Sequence, residues 1–483
     1  EGADYRIWNA AVSALKTTGG VCGNGVCEFG NGLDVGETSE TCPADCVGPA
    51  WEIGAAISVE VYKEEYISCD KLQRCDTEYI RDRDLMGSAT LTDVELRYFG
   101  QNNVRAGLTV RGLGAGGRNV SVTRISFNKG YNKAIVVEES DGVSVEGCAM
   151  LRGHLPMVRV EKSEGSRLVG NLGILAIFWN THRGAVQGKG LTLAKTNAMV
   201  GMYHDMGNKT VSLNNRAAGS ERAGFSGHGV TCGQEARFSG NVAHSSLVGY
   251  HFDFFNTDKA GPCVSLPSFT AWKLYNYGVY GEFSASQTVR VRGARISDAH
   301  VGVEILMGGA PSLVHMRVDM RVEISESLLV GHGAGQGAAD CASRPTLHTC
   351  KFYMAWCGHV GPQRYGVVIS NFLSGGNMAP AIKPWNDAGS YPSLYGATSV
   401  KKVTFANFGA GACGGGRDFA IAGNKKAPDA WHPTSVAEVE LVGVDADSVV
   451  HMDPPNPAWI NQADCIDMDC DGPKNSLVRD EDG

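Results

Sequence analysis

The sequence predicts an all-β fold, a right-handed parallel β-helix with a small disulfide-rich module near the N-terminus. Three observations carry this. Short runs of alternating apolar and polar residues recur along the chain, and period-2 alternation marks strands with one buried face. Turn residues follow many of these runs at once, as Gly170-Asn171, Asn214-Asn215 and Gly240-Asn241. Corners are also evenly spaced: Gly147 to Gly170 is 23 residues and Asn214 to Asn241 is 27. A repeat of about 20–30 residues with a strand and a glycine or asparagine corner is what a coil of such a solenoid needs.

Composition agrees. Glycine, 63 of 483 residues, is about twice its ordinary share of roughly 7%, and charged residues make up 19%. A chain beyond roughly 250–300 residues needs several cores or a repeat architecture. Net charge is −8 without a Lys/Arg cluster, which excludes nucleic acid as an expected partner. No apolar run reaches the roughly 18 residues of a membrane span, so no membrane insertion is expected within this chain. A start at Glu1-Gly2-Ala3 suggests a processed chain or a piece of a longer one.

Taken in order, residues 1–20 form an N-terminal segment with a helix-compatible stretch at Ile7–Leu15. Residues 21–47 are a cysteine module with few apolar residues, which only cross-links can hold. Its Cys22, Cys27, Cys42 and Cys46 favour the pairings Cys22–Cys42 and Cys27–Cys46, although four cysteines allow three pairings. Zinc is the rival reading of this group, and disulfides in an oxidising compartment are preferred. Three further close pairs read the same way: Cys69 with Cys75, Cys341 with Cys350, and Cys465 with Cys470. The odd total of 15 leaves a thiol over, and Cys148, in a strand-like run, is the candidate for a buried free one.

Residues 48–460 are read as the β-helix, with strand runs such as Ile57–Val61, Leu91–Leu96, Val120–Ile125, Val143–Val145 and Val322–Ile324, and loop insertions at 255–275, 333–362 and 374–398. The corner asparagines are structural in this reading, since Asn tolerates a left-handed backbone and can stack from coil to coil. Residues 461–483 form a stapled acidic closing segment, the start of a region expected to continue.

Candidate sites follow. Asn119-Val-Ser121 and Asn208-Lys-Thr210 are N-glycosylation sequons. His204-Asp205 and His251-Phe-Asp253 are the acid/base candidates for glycan chemistry, if stacked coils bring them to one face. The preferred alternative is a half-polar strand surface with satisfied histidines. Asp467, Asp469 and Asp471, followed by Gly472, open like an EF-hand loop. The twelfth position is Val478, so an EF-hand is rejected. No cofactor is expected, a looser calcium site with Asp480 or Asp482 being the weaker reading.

Several segments resemble the fibrocystin-like and cell-surface hyaluronidase-related parallel β-helix (PbH1-repeat) family. They are Asp93–Gln101, Ile125–Ile135, Gly170–Leu175, Asn214–Ser220 with Gly224-Phe225, and the closing Asp467–Gly472 and Asp480–Gly483. The resemblance covers about 93–255 and 461–483, whereas 256–460 is similar only in character. The family's leading glycine-rich domain is missing, and where a histidine-containing run is usual the chain reads Asn102–Arg111. The resemblance implies an extracellular, cell-surface structural or adhesive glycoprotein module, a β-helical rod. The open ends and exposed edges of a β-helix add the expectation of assembly into a surface filament. The module's expected partners are other copies of itself, other cell-surface proteins and attached glycans. A hyaluronidase-like depolymerase is the alternative the resemblance also implies, and a calcium-dependent carbohydrate-binding module is a third reading, with no enzyme activity preferred.

Overall fold

The computed structural model describes residues 56–60, 65–69, 75–79, 87–100, 105–177, 201–252, 262–283, 288–307, 320–332, 364–369, 396–410, 417–423, 434–451, 478–480 and 482. Several expected features lie outside these residues. They are the cysteine module with Cys22, Cys27, Cys42 and Cys46, the expected disulfide between Cys341 and Cys350, and the expected disulfide between Cys465 and Cys470. The carboxylates Asp467, Asp469 and Asp471, and Asp253, lie outside them as well. The chain divides into two compact units, Glu1–Glu221 and Arg222–Gly483. Each is a parallel β-helix, and each is described by itself.

In the first unit a long-strand sheet stacks Ile57–Glu60, Leu108–Gly114, Ile135–Ser140, Val158–Glu164 and Gly201–Asn208 in parallel. A second sheet stacks Ala89–Thr92, Val120–Thr123, Ser144–Glu146, Arg167–Val169 and Val211–Leu213. A third stacks Glu95–Arg97, Ser126–Asn128, Ala149–Leu151, Leu172–Ala176 and Arg216–Ser220. The chain visits the three in turn. Ile135 pairs with Val158, Ser144 with Arg167 and Ala149 with Leu172, each 23 residues on, so the expected corner interval is one coil. An antiparallel hairpin of Glu65–Cys69 and Cys75–Tyr79 sets Cys69 opposite Cys75.

Apolar side chains of equivalent positions stack inward. Val110, Val137 and Val160 form one buried column, and Val122, Val145 and Leu168 another. Phe99 and Phe127 meet edge to face at 5.3 Å. Two expected strands need correction. The runs Leu91–Leu96 and Val120–Ile125 are each broken by a corner, at Asp93 and Arg124, whose φ angles are +55° and +51°. Val120, Val122, Ile125 and Phe127 are all buried. Their spacing of two, three and two places the extra residue at the left-handed corner. Gly147 and Gly170 take that same corner position in later coils, where a left-handed φ carries no Cβ penalty.

The residue after this corner points inward, and here the asparagines act as expected. Asn171 and Asn215 are buried. The Asn171 amide donates to Val145 O and to Asn215 Oδ1, each at 2.9 Å, while Asn171 Oδ1 accepts from Cys148 N at 2.9 Å. Asn215 in turn donates to Leu168 O at 2.8 Å. Cys148 holds the equivalent place one coil earlier and is a buried free thiol. Burial pushes its pKa up, which makes it an inert thiol rather than a reactive one.

The second unit repeats the plan. Its long sheet stacks Ala223–Gly227, Val248–Phe252, Tyr277–Phe283, Val301–Met307, Tyr365–Ile369, Phe419–Gly423 and Val450–His451. Its second sheet runs Cys263–Pro267, Thr288–Arg292, Met320–Ser325, Gly396–Lys401, Thr434–Ala437 and Val478–Asp480. Its third runs Val242–His244, Thr270–Trp272, Arg295–Ser297, Leu328–Val330, Thr404–Ala406 and Glu440–Val442. Part of the insertion expected at 255–275 is therefore ladder: Cys263–Pro267 and Thr270–Trp272 are strands of two sheets. Phe225, Phe238, Tyr250 and Phe269 form an aromatic cluster in this core. Among the described residues no helix is long and apolar enough to cross a membrane.

The free edge of the second sheet is covered by an antiparallel strand, Val230–Thr231, and the next residue, Cys232, forms a disulfide with Cys263. Sequence spacing does not pair these cysteines, because 31 residues separate them. Closing a loop of that length removes unfolded-chain entropy. Replacing both cysteines with alanine is expected to lower stability by about 2–4 kcal/mol. An unchanged urea midpoint would show that the edge strand holds without the bond.

Candidate functional site

The acid/base candidates sit on the long-strand sheets, and alternation along a strand decides where each points. In the first unit, Asp205 is in register with Val160, which is in register with Val137. Its carboxyl thus takes the inward place that valines take in earlier coils. His204 is in register with Arg159 and Val136, on the outer face. Neighbours in sequence, the two side chains leave the strand on opposite sides.

The inward carboxyl is half-buried and hydrogen-bonded. Asp205 Oδ1 accepts from Gly207 N at 2.9 Å and from Thr210 Oγ1 at 3.0 Å. Burial outweighs these bonds and pushes its pKa from 3.8 to about 6. The folded state therefore binds more protons than the unfolded chain between those values, so stability falls as pH rises through that window. Asp205→Asn, which keeps the acceptor and removes the charge, is expected to raise stability at pH 7 by about 2 kcal/mol, a figure discounted for partial exposure. At pH 4 the two proteins should melt together. A constant difference at both pH values would remove ionisation as the cause.

Outward, His204 joins a polar cluster that sequence reading missed. Arg159 donates to Glu161 Oε2 at 2.5 Å, and His204 Nε2 lies 3.7 Å from Glu161 Oε1. Burial raises the Glu161 carboxyl, but His204 and Arg159 more than reverse it and bring it to about 2. Lys133, at the edge of the cluster, is lowered by burial and by Arg159, with Glu161 opposing. A carboxylate held so acidic is a poor general base near neutral pH, where a catalytic base needs a pKa near the working pH. The one carboxyl nearer that range, Asp205, faces the core. This geometry fixes a surface and does not assemble an acid/base pair at His204 and Asp205. No sequence signal marked Lys133, Arg159 and Glu161, because only the register brings residues from different coils together.

In the second unit His251 also faces outward. It is 8% exposed, and its ring lies nearly parallel to that of Tyr280 at 5.7 Å. Glu304 continues the same column and is 2% exposed. Asp253 is outside the described residues. Among the described residues no group of three His, Cys, Asp or Glu side chains is placed to hold a metal ion.

Both sequon asparagines are exposed, Asn119 at the end of a 3-10 turn and Asn208 at the end of a long strand. The hydroxyl of Thr210, which completes the second sequon, is the donor to Asp205 described above.

Comparison with known proteins places these features. No family model matches the chain. It is 26% identical to Homo sapiens fibrocystin-L and 27% identical to Mus musculus fibrocystin-L, each over 411 residues and 82% of this chain. It is 26% identical to Canis lupus familiaris fibrocystin over 277 residues, 56% of this chain. The chain spans only 9% of the length of the fibrocystin-L proteins and 6% of the fibrocystin.

Proposed function

The chain being fibrocystin-like and folded as parallel β-helix units, we propose that it is a cell-surface structural module that displays loops and sheet faces to protein partners or to further copies of itself. The observation that carries this reading is the Cys232–Cys263 disulfide on such a scaffold, since disulfides persist in oxidising, extracellular compartments. Exposed sequons at Asn119 and Asn208 support the same location and a glycoprotein character.

Surface chemistry supports a scaffold over an enzyme. Many exposed charges are paired from coil to coil, as in Arg124–Asp93 at 2.7 Å, Lys162–Glu139 at 2.9 Å and Arg292–Glu326 at 2.9 Å. Such ladders hold register, and each pair is worth little alone. In this reading the module works by rigidity, in a surface filament or beside other surface proteins. The test is sedimentation and electron microscopy of the secreted protein across a concentration series, with glycosidase treatment of the same material. Regular assemblies and a glycosidase-sensitive mass support the proposal. A monomer at the highest soluble concentration, with no assemblies in native material, removes the filament. Retention inside the cell with reduced Cys232 and Cys263 removes the surface module.

A further inference from the structure

We propose that the outer face of the third sheet in the second unit carries a binding platform for an anionic pyranose, a sugar ring bearing a carboxylate, centred on Trp272. This goes beyond the scaffold reading and does not depend on assembly.

Trp272 is half-buried and points outward, because its neighbour Ala271 lies in the core. One coil earlier, His244 is in register with it. The two rings are parallel to within 10° at 4.7 Å, about the spacing of adjacent strands. His244 Nδ1 is 3.2 Å from Ser245 Oγ, which fixes the imidazole. One face of the indole is thus covered by a ring held in place. On the other side the residue in register is Ser297. A serine is too small to cover an indole, so that face forms a shelf one coil high, with a hydroxyl at its back.

The charges beside the shelf point to the occupant. Arg295 is exposed on the same outer face, two residues before Ser297 and in register with Thr270. That places it diagonally across one rung from Trp272, within reach of a long side chain. Lys273, exposed at the left-handed corner with φ +51°, follows Trp272 directly. Several other cations of this unit have carboxylates from the neighbouring coil: Arg290 with Glu323 at 2.6 Å, Arg292 with Glu326, and Lys401 and Lys402 with Glu438; Arg321, exposed on the second sheet, has none among the described residues. Arg295 and Lys273 have no such partner among the described residues. A flat aromatic face takes the apolar face of a pyranose, and two uncompensated cations call for a carboxylate on it. A neutral sugar would leave both charges unmatched.

The experiment titrates the full chain with sialyllactose and with a glucuronate-containing tetrasaccharide, lactose being the neutral control, read by saturation-transfer NMR and calorimetry. Both acidic sugars should bind about tenfold more tightly than lactose. Trp272→Ala should weaken them by about tenfold or more, while Trp272→Phe retains part of the binding. The double variant Arg295→Gln/Lys273→Gln, which touches no core residue, should abolish the preference over lactose, and it carries the test if Trp272→Ala melts early. The proposal is overturned if no acidic sugar binds, if lactose binds equally, or if neither the Trp272 variants nor the double variant changes the affinity. Binding of polyglutamate without binding of either sugar would assign an acidic-peptide site in its place.

Discussion

Replacing Arg364 with methionine is expected to destabilise the second unit by about 3–5 kcal/mol, the cost of breaking a buried ion network by removing one partner. Arg364 is 1% exposed. Its guanidinium donates to Asp298 Oδ1 at 2.8 Å and to the Gly331 carbonyl. Its backbone N donates to Asp418 Oδ1 at 2.8 Å, and the fully buried Asp418 also meets His332. His300, Arg364 and Asp418 hold the same place on three successive coils, because the next residues, Val301, Tyr365 and Phe419, are in register. The network therefore ties the end of one coil at Gly331 to the start of the next strand, across the 333–363 segment. Methionine matches the stem and keeps the backbone bond to Asp418, but it takes the guanidinium from the Asp298 carboxylate and the donor from the Gly331 carbonyl. Lysine should recover little, since a point charge cannot reproduce the planar fork. Urea denaturation reads the loss. Adding Asp298→Asn to Arg364→Met should return part of it, because the charge that lost its guanidinium is then gone. A midpoint unmoved by Arg364→Met would mean that the network contributes nothing net to the fold.

The second large effect is expected at Asn171. Asn171→Ala is expected to lower the stability of the first unit by about 2–4 kcal/mol, since it leaves buried backbone and side-chain groups unpaired. Cys148 N loses its acceptor, and Val145 O and Asn215 Oδ1 each lose a donor. The damage spans the coils on both sides. Asn171 is 1% exposed and Asn215 is fully buried, so water cannot readily replace these bonds. Hydrogen exchange at the Cys148 amide is the sharper readout and should accelerate in the variant. Slow exchange there would show that another acceptor takes over.

Much of this architecture is legible in the chain itself. Alternating runs, glycine and asparagine corners and a 23-residue interval give the parallel coil, since inward stacking demands the same residue type at the same place in each turn. The buried free thiol at Cys148 and the coil-to-coil role of Asn171 and Asn215 could be expected on the same grounds. The corners at Asp93 and Arg124 were harder to read. A charged residue in a left-handed corner gives no turn signal, and the apolar pattern slips by a single position. Other features belong to the tertiary structure alone. Cys232 pairs with Cys263 because an edge strand folds back onto the second sheet. Arg364 meets Asp298 across 66 residues, and only the register sets His244 beside Trp272 and Arg295 one rung away, opposite Thr270. His204 and Asp205 read as a pair in the sequence, but a strand turns adjacent side chains to opposite faces. Local periodicity fixes which residues line the core. The register of stacked coils, set by loops of unequal length, decides which side chains from distant segments come together.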